Sequence, residues 1–97
     1  MPDIKIAPDK RYYADSIHPS LRTVIPLEVC FERTETGDAA VVQELDEYGL
    51  GTTQAEAVED LGKTLQELYF SLERDEGRLS SDLLAVWAGS KRHLVRI

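Results

Sequence analysis

The side chains that could carry out chemistry are few and scattered along this chain. His18 and His93 lie far apart, and Cys30 falls inside a predicted strand beside neither of them. This spacing offers no set of zinc ligands and no nucleophile with an adjacent base. We interpret Cys30 as a packing residue, and we predict no catalytic site, no cofactor and no enzyme activity.

The nearest approach to a chemical cluster is a group of three carboxylates. Glu44, Asp46 and Glu47 come together at the end of the second predicted strand. Paired carboxylates can hold a divalent cation. A solvated strand end explains the same cluster without a metal, and we favour that interpretation, so no metal site is predicted.

Residues 48–57 are the most informative stretch. They do not form a phosphate-binding loop, because they lack both the Gly-Lys-Ser/Thr motif and a third glycine in a βαβ setting. Thr53 and Glu56 have the spacing of a helix capping box. Gly49 and Gly51 permit backbone angles that other residues resist. The stretch therefore predicts a tight turn that opens a helix.

Three strands are predicted before this helix. The first covers residues 23–33, where Ile25, Leu27, Val29 and Phe31 alternate with polar residues and Pro26 marks a sheet edge. A turn over residues 34–38 places Gly37 at a positive φ. The second strand covers residues 39–45, and its apolar face is predicted to consist of Ala39, Val41 and Leu45. The third covers residues 48–52.

Two helices are predicted next. The first spans residues 54–74 and carries an apolar stripe formed by Val58, Leu61, Leu65, Leu68 and Leu72. Gly62 is expected at a close helix–sheet contact, and Gly77 is expected to cap the end of the helix. The second helix begins after Ser80 or Ser81, ends at Gly89, and places Trp87 in the core or an interface. Residues 93–97 finish as a strand or as extended chain.

Strands followed by helices, without βαβ alternation, predict an α+β fold. The expected order is β-β-β-α-α with a possible final strand, and the helices pack on one face of a small antiparallel sheet. Residues 1–20 are predicted to form an N-terminal extension, in which Ile4 and Ile6 could make a short edge strand, and residues 21–97 to form the domain.

Charge excludes some partners. The chain has 97 residues and a net charge of −7, and residues 28–60 contain ten acidic residues and one basic residue. Such a surface repels nucleic acid and attracts basic proteins, although it could also serve solubility alone. No apolar run could span a membrane or act as a signal peptide, so a cytoplasmic location is expected. A domain this small would gain stability by forming a homo-oligomer, a dimer or a tetramer.

The hairpin, the Gly51-x-Thr53-x-x-Glu56-Ala57 signature and the leucine-rich helix together resemble the HicB-type antitoxin family, over residues 23–73. The stretch from Glu44 to Leu50 lacks the proline and cysteine that many members carry there. The residues after Gly77 are expected to be too few for the DNA-binding domain that members often append. The resemblance is therefore to a stand-alone type, structurally marked by Gly49, Gly51, Thr53, Glu56 and Ala57.

The resemblance implies a protein-binding function. Family members neutralise a small basic toxin that degrades mRNA (the HicA type), by covering its active site. On this expectation the contact acids are Glu32, Glu44, Asp46 and Glu47, with no direct binding of nucleic acid. Two alternatives stay open. One is an orphan homo-oligomeric domain of the same fold with a different protein partner, and the other is a degenerate RNase H-like, metal-dependent nuclease.

Overall fold

The computed structural model describes residues 11–97 and has an α+β fold, as predicted. Within residues 11–97, six strands and two helices follow one another. They are β1 (Arg11–Ala14), β2 (Leu21–Thr23), β3 (Leu27–Arg33), β4 (Asp38–Val42), β5 (Glu47–Gly51), α1 (Gln54–Arg74), α2 (Ser81–His93) and β6 (Leu94–Arg96). Short 3₁₀ turns at Gln43–Leu45 and Glu76–Arg78 interrupt this order. Neither helix has the length and apolar character needed to cross a membrane in this part of the chain.

The main sheet has four antiparallel strands in the order β1-β3-β4-β5, and β2 pairs with β6 in a separate two-stranded sheet. Helix α1 lies across β4 and β5, and α2 packs against α1 and the Gln43–Leu45 turn. A single core forms between the main sheet and the helices. The predicted third strand is confirmed as β5, and the open question about the residues after His93 is settled by β6.

The alternation predicted for the first strand is confirmed from Leu27 onward, since Leu27, Val29 and Phe31 are all buried in the core. The strand begins later than predicted, because Pro26 precedes it and cannot donate to a ladder. Ile25 therefore lies outside the strand and is half exposed.

The predicted apolar face of the second strand is wrong. Ala40 and Val42 face the core, whereas Ala39 and Val41 lie on the opposite face. The strand stops at Val42, and the 3₁₀ turn that follows changes the direction of the side chains. Leu45 consequently reaches the core from the turn and not from the strand.

The bounds of α1 agree with the prediction, and the helix buries Leu61, Leu65 and Leu72 while Val58 and Leu68 pack at the edge of the core. Helix α2 follows Ser80, whose hydroxyl accepts a hydrogen bond from the Leu83 amide at 3.4 Å. The predicted end at Gly89 is wrong. The helix continues to His93.

Three glycines play a different role from the predicted one. No glycine among residues 11–97 has a positive φ, so Gly37 does not supply one. A Cβ at Gly37 would lie 2.1 Å from the carbonyl oxygen of Gly51, so the turn needs close approach of two backbones. Gly62 contacts the carbonyl of Ile17 and not the sheet. Gly77 does not cap α1, because Asp75 occupies that position.

The segment from residue 11 to residue 20, which the sequence analysis assigns to an extension, is part of the folded structure. It contributes β1 to the edge of the main sheet, where Ala14 pairs with Leu27. Ile17 belongs to the core. Ile4 and Ile6, the predicted edge strand, lie outside the described residues.

Candidate protein-binding surface

The signature residues form the junction between β5 and α1. Thr53 is the N-cap of the helix, and its hydroxyl accepts a hydrogen bond from the Glu56 amide at 3.1 Å. Glu56 reaches back to accept one from the Thr52 amide at 2.9 Å and another from the Thr52 hydroxyl. The capping box is therefore present, but its returning bond falls one residue before the N-cap. Hydrogen bonds from Thr52 hold the pKa of Glu56 below its ordinary value.

The two glycines of the signature allow helix and strand to touch. A Cβ at Gly49 would lie 2.1 Å from the amide nitrogen of Leu61, and one at Gly51 would lie 2.5 Å from that of Ala57. Both positions have negative φ, so close packing and not backbone freedom requires glycine. Ala57 is fully buried at this contact.

The helix also closes part of the sheet edge. The Leu50 amide points away from β4 and donates to the Asp60 carboxylate at 2.9 Å. An edge strand with unpaired amides is a template for pairing with another chain. Because the Asp60 carboxylate already accepts a hydrogen bond from one of those amides, the β5 edge is a poor site for strand addition.

The structure separates the four acids proposed as partner contacts. Glu32 pairs with Ala39 near the β3–β4 turn. Glu44, Asp46 and Glu47 lie beyond the opposite end of β4, in the 3₁₀ turn and at the start of β5. Glu32 therefore does not form one cluster with the other three.

The carboxylate of Glu44 is already bonded to side chains at the end of α2. Its carboxylate accepts a hydrogen bond from Arg92, and its Oε1 lies 2.9 Å from Nε2 of His93. The other ring nitrogen of His93 lies 2.9 Å from the carbonyl oxygen of Ile25. Glu44 thus joins the 3₁₀ turn, the end of α2 and the segment before β3, and both ring nitrogens of His93 are engaged.

Replacing Glu44 with alanine should lower the free energy of unfolding by about 1–3 kcal/mol, because a half-buried ring nitrogen and a guanidinium lose their shared acceptor. The measurement is urea denaturation followed by circular dichroism. Asp46→Asn is the matched control, since Asp46 has a φ of 55°, which asparagine tolerates. Equal losses from both variants would show that Glu44 has no special structural role.

Glu47 remains an ionisable group with an unfavourable environment. Partial burial raises its pKa above the ordinary value, and the neighbouring Asp46 charge raises it further. A raised carboxyl pKa means that the folded state binds the proton more tightly than the unfolded state. The associated stability is therefore present below the unfolded pKa of about 4.5 and is lost as the pH rises through the folded pKa.

Glu47→Gln should accordingly raise the unfolding temperature at pH 7, where the native protein must bury part of an ionised carboxylate. The gain should disappear at pH values below about 4, because the native side chain is then protonated as well. Thermal unfolding at both pH values tests this. A gain that is the same at both would point to packing and not to charge.

The basic residues near the end of the described chain neutralise acids from three other regions. Besides the Arg92 contact, Lys91 pairs with Glu76 at 3.2 Å and Arg96 pairs with Glu73 at 2.9 Å. Between residues 34 and 73 the only basic side chain is Lys63. Acids consequently outnumber bases around the start of β5 and on the exposed side of α1. The exposed acids there are Asp46, Glu56, Glu59, Asp60 and Glu67.

Comparisons of this chain with protein-family models, with curated proteins and with solved structures find no match. The interpretation of the surface therefore rests on the residues and contacts themselves.

The described residues give no support to chemistry at this surface. No group of three or more His, Cys, Asp or Glu side chains in residues 11–97 is arranged to hold a metal ion. A shallow, open depression of about 420 Å³ lies between Thr34, Thr36 and Thr52, and Glu56 lines it while bonded to Thr52. Cys30 is buried and unpaired, in agreement with a packing role.

The sequence analysis missed the contacts of α2. The Trp87 indole donates to Glu76 at 2.8 Å, and its ring packs against Tyr69 with centroids 4.9 Å apart. These partners come from two separate segments, α1 and the Glu76–Arg78 turn. Only the basic run Lys91, Arg92 and His93 at a helix end could have hinted at them, because bases are favoured at that end of a helix.

Proposed function

We propose that this protein is a protein-binding module of the HicB antitoxin type, which neutralises a small, basic, mRNA-degrading toxin by covering its active site. The observation that carries the proposal is the β5–α1 junction. The Gly51-x-Thr53-x-x-Glu56-Ala57 signature supplies a capped helix start, a close glycine contact and a buried alanine at one place. Each signature residue thus has a structural use in the arrangement that the family resemblance implies.

Electrostatics supports a basic partner. Lys91, Arg92 and Arg96 pair with other acids, and Lys63 is the only basic residue between positions 34 and 73, so acids outnumber bases on the β5 and α1 side. Opposite charge speeds the encounter of two proteins and selects against acidic partners. Of the four acids first proposed, Glu32, Asp46 and Glu47 retain the role of contact acids, while Glu44 serves the fold.

A second candidate function is an orphan domain that associates with copies of itself. Exposed apolar side chains on the main sheet favour it, since Tyr48 and Leu50 on β5 both point to the face away from the helices. The two candidates predict different partners. A basic toxin is expected in the first case, and only further copies of this chain in the second.

The test is purification of the tagged protein from its native cells, followed by mass spectrometry and a toxin-neutralisation assay. The proposal expects a small basic ribonuclease at equal stoichiometry, whose mRNA cleavage the protein suppresses. Recovery of the protein alone would contradict it and favour self-association.

A charge-reversal set sharpens the test. Replacing Glu32, Asp46 and Glu47 with lysine should weaken toxin binding and neutralisation. The matched control replaces three exposed acids elsewhere, namely Asp15, Glu35 and Asp82. Equal weakening by the two sets would indicate that net charge alone governs binding, and unchanged binding by the first set would refute the assigned acids.

A further inference from the structure

The main sheet has two faces of different character. Gly49 lies against α1, and its register partners Ala40 and Phe31 share that covered face. Because side chains alternate along a strand, the neighbouring positions point the other way. The register brings the following residues together on the opposite face, which we call the open face: Arg11, Tyr13, Glu28, Cys30, Glu32, Ala39, Val41, Tyr48 and Leu50.

The open face has an apolar centre. Cys30, Val41 and Tyr48 lie side by side across three strands, and Ala39 and Leu50 form the next row. Tyr48 is 57% exposed and Leu50 is 52% exposed. Val41 beside them is half-buried, whereas Cys30 and Ala39 are buried. Single exposed apolar residues are normal on a protein surface, but adjoining ones such as Val41, Tyr48 and Leu50 are typical of an interaction site.

No other described element covers this face. Both helices lie on the covered side, where α1 contacts β4 and β5. Two other features through which the protein could associate are already used within the chain. Trp87 is buried against Tyr69, and the outward Leu50 amide is bonded to Asp60.

The open face includes two acids, Glu28 and Glu32, and the register also places Arg11 on it, opposite Cys30. Glu32 is exposed beside Ala39, and Glu28 is half-buried and accepts a hydrogen bond from the Tyr13 hydroxyl at 3.1 Å. A second copy of the chain would bring like charges together, at a net charge of −7 for each copy. A basic surface with an apolar centre matches the net charge of the chain and the exposed apolar residues of this face.

We infer that the open face, centred on Val41, Tyr48 and Leu50, is the docking surface for a basic protein partner, which contacts it through aliphatic or aromatic side chains bordered by lysine and arginine. The inference rests on the proposed function for the basic character of the partner. It goes further in placing the contact on the sheet and not on the acidic side of α1.

The probes are two synthetic twelve-residue peptides that share the same leucine and tyrosine residues, one with four lysines and one with four glutamates in the remaining charged positions. Each is titrated into the ¹⁵N-labelled protein and followed by amide chemical shifts. The lysine peptide should shift the resonances of Cys30, Val41 and Tyr48, and the glutamate peptide should not. Equal binding of both peptides, or shifts confined to α1, would overturn the inference.

Variants complete the test. Tyr48→Ser with Leu50→Ser should weaken binding of the lysine peptide by about tenfold or more, as expected when central apolar contacts are removed. The matched control is Leu83→Ser with Leu84→Ser on α2, which are 43% and 46% exposed and should leave binding unchanged. Val41→Thr, which preserves side-chain volume, gives an independent variant. Similar losses in test and control variants would refute the surface.

The outcomes separate this inference from the proposed function. If the protein neutralises a toxin and the Tyr48→Ser, Leu50→Ser variant does so equally well, the antitoxin function stands and the open face is refuted. If no toxin is neutralised but the lysine peptide docks at Val41 and Tyr48, the surface stands and the antitoxin function fails.

Discussion

Gly49→Ala should lower the free energy of unfolding by about 3 kcal/mol or more, the upper end of the range for overpacked cores. The added Cβ would lie 2.1 Å from the Leu61 nitrogen, 2.4 Å from the Ala57 carbonyl oxygen and 2.6 Å from the Leu61 Cα. All three atoms belong to the backbone of α1, so no side-chain rotation can make room. The helix must move away from β5, and the contact that the signature creates is lost.

Gly77→Ala is the matched control. Nothing lies within 4 Å of a Cβ at Gly77, and its φ is not positive. Alanine there should raise stability by about 0.4–1 kcal/mol, through reduced freedom of the unfolded chain. Urea denaturation of both variants provides the comparison. A loss at Gly49 no larger than about 1 kcal/mol, the cost expected of ordinary surface positions at most, would show that the helix–strand contact is loose.

Trp87→Ala should cost about 3–5 kcal/mol, the usual range for removing a large aromatic side chain from a core. The indole is buried, packs against Tyr69 at 4.9 Å and has the Lys91 ammonium 5.0 Å from its centre. Small domains are stable by only about 5–15 kcal/mol in total, so this variant could be largely unfolded at 37 °C. Thermal unfolding followed by circular dichroism measures the loss.

Trp87→Phe separates packing from hydrogen bonding. It keeps an aromatic ring beside Tyr69 but removes the donor to Glu76, so the loss should be smaller than for alanine. Hydrogen bonds from Trp87 and Lys91 hold the pKa of Glu76 below its ordinary value. In the phenylalanine variant this pKa should rise toward that value, as read from carboxyl ¹³C shifts during a pH titration. An unchanged pKa would show that Lys91 alone sets it.

The lowered pKa of Glu76 changes stability with pH in the opposite direction from the raised pKa of Glu47. The folded state holds the ionised form of Glu76, so the stabilisation is present above the unfolded pKa of about 4.5 and is lost as the pH falls through the folded pKa. The stability difference between native and Trp87→Phe proteins should therefore narrow in acid.

Much of the fold can be predicted from local periodicity in the sequence. The bounds of α1 and the position of β5 could be predicted, because a three-to-four repeat of leucines and a Thr-x-x-Glu cap are local signals. The face of β4 could not, since the 3₁₀ turn after Val42 interrupts the strand and Leu45 then reaches the core from a different direction. Sequence alternation alone does not show where such a turn begins.

The glycines show a second limit. The sequence indicates that these positions need glycine. At Gly37, Gly49 and Gly62 the need arises because a backbone segment distant in sequence lies where a Cβ would stand. Such contacts become visible only when the elements are assembled. The same holds for the candidate site, where the spacing of Glu44, Asp46 and Glu47 is a local signal but the engagement of Glu44 by Arg92 and His93 spans nearly half the chain.

The pairing of β2 with β6 sets an order for folding during protein synthesis. Helix α1 and the strands beneath it can assemble once residue 74 has left the ribosome, because all four strands of the main sheet and the helix itself have by then been made. Three interactions form only later. Leu21 pairs with Arg96, the Val24 amide donates to the carbonyl of His93, and Glu44 accepts from Arg92. We therefore expect a nascent chain whose main sheet has formed while Leu21, which is buried in the finished fold, stays open to chaperones until residues 92–96 have been translated.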